Sequence, residues 1–83
     1  MELALEEKLI SRAQAKRVLG RIDQFKSVIF DFKGIDFIGQ AFADQIFRVW
    51  ANAHPDVECD VIGAAPDVKK MIAGVHPPSN VRI

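Results

Sequence analysis

The chain has 83 residues, enough for one small domain around one hydrophobic core. Eleven Lys and Arg offset eleven Asp and Glu, so no net charge drives it toward nucleic acid or an acidic membrane, and 49% hydrophobic residues exclude a disordered tail. A single cysteine, Cys59, excludes an internal disulfide and a cysteine-based zinc cluster; with no apolar run near the roughly 20 residues of a membrane helix and an acidic start unlike a signal peptide, a cytoplasmic protein is the expectation.

Residues 1–10 suit a strand and a helix equally, with Leu3 and Leu5 alternating with Glu2, Ala4 and Glu6. Ser11 followed by Gln14 is a capping box, and Ala15, Val18, Leu19 and Ile22 then predict a helix from about 12 to 24. Its outer side carries Arg12, Lys16, Arg17 and Arg21. The near-continuous apolar run Val28-Ile29-Phe30-Asp31-Phe32 predicts a strand covered by helices on both faces. Lys33-Gly34 breaks it, and Ile35-Asp36-Phe37-Ile38-Gly39 forms a short apolar connection. Phe42, Ala43, Ile46, Phe47, Val49, Trp50 and Ala53 predict a deeply packed helix at about 41 to 53, stopped by His54-Pro55. Val57 to Val61 alternate as a strand, expected nearer a sheet edge than 28–32. Pro66 opens a last helix, from about 66 to 74, on Val68, Met71, Ile72 and Val75. His76-Pro77-Pro78-Ser79-Asn80 breaks the chain, leaving a tail or the beginning of a missing strand.

Helix–strand alternation of this kind gives an α/β class with right-handed crossovers. The expectation is a small sandwich with a few-stranded, mostly parallel sheet and about three helices, as one domain over 1–83 with its core at about 8–75 and a tail at 76–83. With so few strands, the chain reads as a trimmed, minimum version of a larger fold.

The stretch from Phe30 to Phe47 resembles the central strand, loop and helix of STAS domains, the fold of anti-sigma-factor antagonists and sulphate-transporter tails. Leu9-Ile10-Ser11-Arg12 with Gln14-Ala15-Lys16-Arg17, together with Gly39-Gln40-Ala41-Phe42-Ala43-Asp44, resembles more closely the bacterial STAS-like domain of unknown function. The resemblance implies a non-enzymatic regulatory interaction module with no cofactor. Its implied partner is an ATP-binding, kinase-like regulator or a transcription-regulatory, helix-turn-helix protein. It places the contact surface at the helix start: Gly39, Gln40, Ala41, Asp44, Gln45 and Arg48, with Asp44, Gln45 and Arg48 projecting outward. In the antagonists a serine at this helix start accepts phosphate. Here Gly39, Gln40 and Ala41 carry no hydroxyl, so that switch is expected to be absent.

The residues themselves leave two readings of the helix start. Its N–H groups suit an anion or a partner's carboxylate. The plainer account is a tight turn at Gly39 with the amides facing water. The basic patch of Arg12, Lys16, Arg17 and Arg21 fits an acidic protein surface or, as an alternative function, nucleic-acid phosphate; Lys8 and Lys26 extend it against the single acid Asp23. No Tyr is present, and no exposed aromatic is expected among those cations. Asp31, Asp36 and Asp44 invite a carboxylate-pair or metal reading, and Asp31 and Asp36 could approach each other. No His, Cys or third carboxylate joins them at ligand spacing, and the resemblance implies that Asp31 anchors the following loop. His54 and His76 suit helix C-termini, and Cys59 reads as a buried, inert thiol.

Overall fold

The computed structural model describes residues 1–5, 9–22 and 24–83. Lys8 and Asp23, both counted in the basic first segment, lie outside the described residues. The elements in chain order are β1 (Glu2–Ala4), α1 (Arg12–Leu19), β2 (Ser27–Asp31) and α2 (Gln40–Asp44). The helix continues through a π-helical segment (Gln45–Trp50) into α3 (Ala51–Ala53), and β3 (Glu58–Ile62), α4 (Pro66–Gly74) and β4 (Val81–Arg82) follow. The four strands form one sheet in the order β1-β2-β3-β4, every pair parallel.

Sequential order with crossovers of one hand puts every connection on the same side of a sheet. Accordingly α1 and α4 both pack against α2, and Phe47 in the π segment meets Phe30 edge-on, with ring centroids 5.2 Å apart. Beneath this helical layer lie Leu3, Val28, Phe30, Phe32, Cys59 and Val81, all in one buried cluster. The opposite face of the sheet carries no helix among the described residues. Ser27 and Ile62 there are exposed, and Ile29, Asp31 and Asp60 are half-buried. The expectation of a strand covered on both faces is thereby corrected: β2 alternates between buried and more open positions instead of running buried throughout.

Four further differences have physical causes. Helix α1 ends at Leu19 rather than near 24, because Gly20 takes the C-cap; Ile22 is still fully buried, from the turn that follows. Its start is as expected, with the Ser11 hydroxyl accepting from the Gln14 N–H at 3.2 Å and the Gln14 side chain accepting from the Ser11 N–H at 2.9 Å. In the helix from Gln40 to Ala53, the π turns take about one extra residue each and slip the phase of the apolar stripe. Val49 and Ala53, expected inside, are exposed, whereas Ala51 is buried.

Strand β3 is an interior strand, not one near an edge; the edges are β1 and β4. Residues 76–83 are not a loose tail, since Val81 is buried and β4 pairs with β3. Asn80 holds that segment, its side-chain amide donating to the carbonyls of Ala51, His54 and Val57 at 3.2, 3.2 and 3.0 Å. Helix α4 spans the residues expected of it. No helix among the described residues is long and apolar enough to cross a membrane.

Candidate functional site

The junction between the start of α1 and the start of α2 gathers most of the chemistry-bearing residues. The segment before α1 runs alongside the segment before α2 as a single parallel bridge, Leu9 to Ile38. The Gly39 N–H donates to the Leu9 carbonyl at 2.8 Å. This approach needs glycine: a Cβ on residue 39 would lie 2.6 Å from the Ile10 carbonyl oxygen and 2.8 Å from the Ile10 Cα. Gly39 has φ −77°, so space and not backbone conformation fixes the residue.

Leu9 and Ile38 point inward and are buried, so extended backbone turns their neighbours Ile10 and Phe37 outward. These two side chains are 55% and 56% exposed, the largest values among the exposed large apolar residues. The Ile10 N–H donates to the Gln14 side-chain oxygen at 2.7 Å, so the capping box of α1 also fixes the backbone that presents Ile10.

The same junction holds an ion cluster. Asp44, in the last turn of α2, is buried with 9% exposure. One Asp44 oxygen accepts from Arg12 Nη1 at 2.8 Å and Arg48 Nη2 at 2.9 Å, and the other accepts from Arg48 Nε. The hydrogen bonds from Arg48 and then Arg12 outweigh desolvation and hold the Asp44 carboxyl at about 2, below its ordinary value of 3.8. The same contact raises the Arg48 guanidinium. Both arginine side chains remain 50% exposed. With Gln40 and Ala41 they line an open cleft of about 350 Å³. One carboxylate fixes two guanidinium groups, and the cluster keeps a positive charge toward solvent.

The residues singled out at the helix start divide accordingly. Gln40 is exposed, Ala41 and Gln45 are half-buried, and Arg48 is exposed, so these remain surface groups. Asp44, expected to project outward, is instead buried between Arg12 and Arg48, because α1 packs over that side of the helix. Gly39 is buried and its N–H is taken by Leu9, so it builds the junction rather than facing a ligand. The basic patch also divides. Arg12 turns to Asp44, while Arg17 and Arg21, with Leu3, Leu5 and Leu9, line a separate hollow of about 150 Å³ between β1 and α1. Lys16, Arg17 and Arg21 are exposed, and Arg21 lies beyond the end of the helix. Phe25, also beyond that end and between Arg21 and Lys26 in the chain, is 44% exposed, which overturns the expectation of no exposed aromatic among these cations.

The remaining candidates are structural. The Asp31 carboxylate accepts the Lys33 N–H at 2.9 Å and anchors the loop after β2. His54 follows α3, stacks on Trp50 with centroids 4.4 Å apart, and its Nδ1 lies 2.9 Å from the Trp50 carbonyl. Cys59 is buried, and burial pushes its thiol up to about 11. Ile10 and Phe37 are not among the site residues expected from the sequence. The available signal was parity: each is a large apolar residue one position away from a core residue in an extended segment, and so faces the opposite way.

Compared with known families, residues 14–69 match the model of a STAS-like domain of unknown function (DUF4325). The match spans more than half of the chain and includes α1 from Gln14 onward, β2, the whole helix from Gln40 to Ala53 and β3. The parallel four-stranded sheet with helices packed on one face is consistent with that fold. No curated protein and no solved structure matches the chain.

Proposed function

The chain belongs to the STAS-like family of unknown function, and from that premise we propose that it is a non-enzymatic regulatory module that binds a protein partner at the α1–α2 junction. The contact surface is Ile10, Arg12, Phe37, Gln40, Gln45 and Arg48. One observation carries the reading: the α1–α2 junction presents two large apolar side chains, each more than half exposed, and also holds two guanidinium groups fixed on a buried carboxylate. Exposed apolar groups rimmed by charge are the composition of a docking surface, and arginine is the charged residue most enriched in such places. Because the arginines are already ordered by Asp44, a partner's carboxylate meets them at reduced entropic cost. The fitting partner segment offers an apolar anchor for Ile10 and Phe37 and an acidic side chain for the arginines.

An ATP-binding, kinase-like regulator or a transcription regulator is the partner class that the family resemblance supports. Gly39, Gln40 and Ala41 have no hydroxyl, which supports a module without the phosphorylatable serine at the helix start. The second reading, nucleic-acid binding, rests on Lys16, Arg17 and Arg21, which are exposed and have no acidic partner among the described residues.

The test is capture of partners from a native lysate with wild-type protein and with Ile10→Asp/Phe37→Asp, both surface changes that leave the core intact. The variant is expected to lose a protein that the wild type retains. Capture of the same proteins by both overturns the reading.

A further inference from the structure

We propose that the uncovered face of the sheet is a second docking surface, which receives a basic amphipathic helix from a partner. Parallel sheets occur almost only with both faces covered, because their crossovers and neighbours bury them. In this domain the four described strands are all parallel, yet the helical cover among the described residues lies on the side of Phe30, Phe32 and Cys59.

The pairing fixes what the other side presents. Ile29 lies between Glu2 of β1 and Asp60 of β3, with Arg82 of β4 beyond. In the next row Asp31 lies between Ala4 and Ile62. Ile62 is 43% exposed, and Ile29 is half-buried. Ile29 and Ile62 lie on adjacent strands and two residues apart along them, so they make a diagonal apolar strip about 8 Å long, which suits the stripe of one helix and not a second sheet.

Charge selects the sign of that helix. The strip is flanked by four carboxylates, from Glu2, Asp31, Glu58 and Asp60. The cation on the same face is Arg82, 3.1 Å from Glu58 and 3.6 Å from Asp60. The Met1 amino group sits at the edge, donating to the Ser27 carbonyl at 2.7 Å. Lysines or arginines bordering the helix stripe would meet these carboxylates.

A second copy of this chain does not fit as the occupant. Its own basic helix, α1, has Ala15 and Leu19 buried in its core and Arg12 engaged with Asp44, so it offers cations without a stripe. The neutral sum of charges thus divides between two faces: guanidinium groups at the helical junction and carboxylates on the sheet. The domain would then join an acidic partner to a basic one.

The probe is a synthetic 18-residue peptide with leucines at helical spacing and lysines elsewhere, titrated into protein carrying labelled isoleucine methyl groups. Saturable shifts are expected at Ile29 and Ile62 and none at Ile10. The same peptide with glutamate in place of lysine should bind at least tenfold more weakly, as should the lysine peptide to Glu58→Lys/Asp60→Lys protein whose melting curve shows it folded. Shifts at Ile10 in place of Ile29, equal binding of both peptides, no saturable shift, or self-association that protects Ile29 and Ile62 in the free protein would each overturn the proposal. Because Ile10 and Phe37 belong to the other surface, failure here leaves the first docking surface untouched.

Discussion

Replacing Gly39 with alanine tests the packing that builds the candidate site. A Cβ at residue 39 would stand 2.6 Å from the Ile10 carbonyl oxygen, against about 3.4 Å for ordinary contact, so the two segments must part by about 0.8 Å. Parting them stretches the Gly39–Leu9 hydrogen bond from 2.8 Å to about 3.6 Å, beyond useful length. Losing that bond costs about 1 kcal/mol, and forcing bulk into packed structure costs about 1–3 kcal/mol more. The sum, about 2–4 kcal/mol, is a large part of the roughly 4–12 kcal/mol that a chain of this size commands. Each kcal/mol lowers the melting temperature of so small a domain by about 4–8 °C, so Gly39→Ala should melt at least about 8 °C below wild type. Circular dichroism melting reads this directly. A melting temperature within about 3 °C of wild type would refute the close approach of residues 10 and 39. The contrast with other glycines sharpens the test, because alanine at residue 39 meets no conformational penalty and the whole effect must be steric.

Gly74 ends α4 with open space where its Cβ would be, so Gly74→Ala should raise stability by about 0.5–1 kcal/mol. Gly34 has equal room but φ +84°, so Gly34→Ala should lower it by about 1–2 kcal/mol, both changes read by urea unfolding. Asp44→Asn strips two guanidinium groups of their carboxylate and should cost about 1–3 kcal/mol at neutral pH. Because the folded carboxyl titrates at about 2 instead of 3.8, its contribution is full above about 5 and is lost as pH falls toward 2. Stability measured from pH 6 to pH 2 should therefore fall more in wild type than in Asp44→Asn, and parallel curves would contradict the ion cluster. The buried Cys59 thiol, raised to about 11, should react with a disulfide reagent at pH 8 only at the rate of unfolding. If Lys16, Arg17 and Arg21 bind nucleic acid, affinity should fall with salt at a log–log slope near −2.7 for about three phosphates; a flat salt response or no shift of duplex DNA removes that reading.

The sequence was readable wherever one local signal decided the outcome. The Ser11–Gln14 box and Pro66 each mark a helix start where the structure has one, and both β-rich runs are strands. It misled where a tertiary fact decided. Periodicity cannot show that every crossover falls on one side, so the apolar run at β2 looked covered twice. A regular helical wheel also cannot anticipate the phase slip of the π segment, which is why Val49 was placed inside. For the site, Arg48, Gln40 and Gln45 were legible as surface groups on a helix. Asp44 was not, since only the packing of α1 against α2 brings Arg12, 32 residues away in sequence, to its carboxylate. Ile10 and Phe37 were hidden for the same reason: each becomes an outward group only once Leu9 pairs with Ile38.

The central claim is that the α1–α2 junction is where a protein partner docks. The most direct measurement places a photo-crosslinking amino acid at residue 37, and in a control at residue 73 on the exposed side of α4, and irradiates each protein in native lysate. The account predicts a discrete crosslinked protein from position 37, absent from position 73 and lost when Arg12 and Arg48 are both changed to glutamate. Equal crosslinking from both positions, or a product from 37 that survives the double charge reversal, would contradict it.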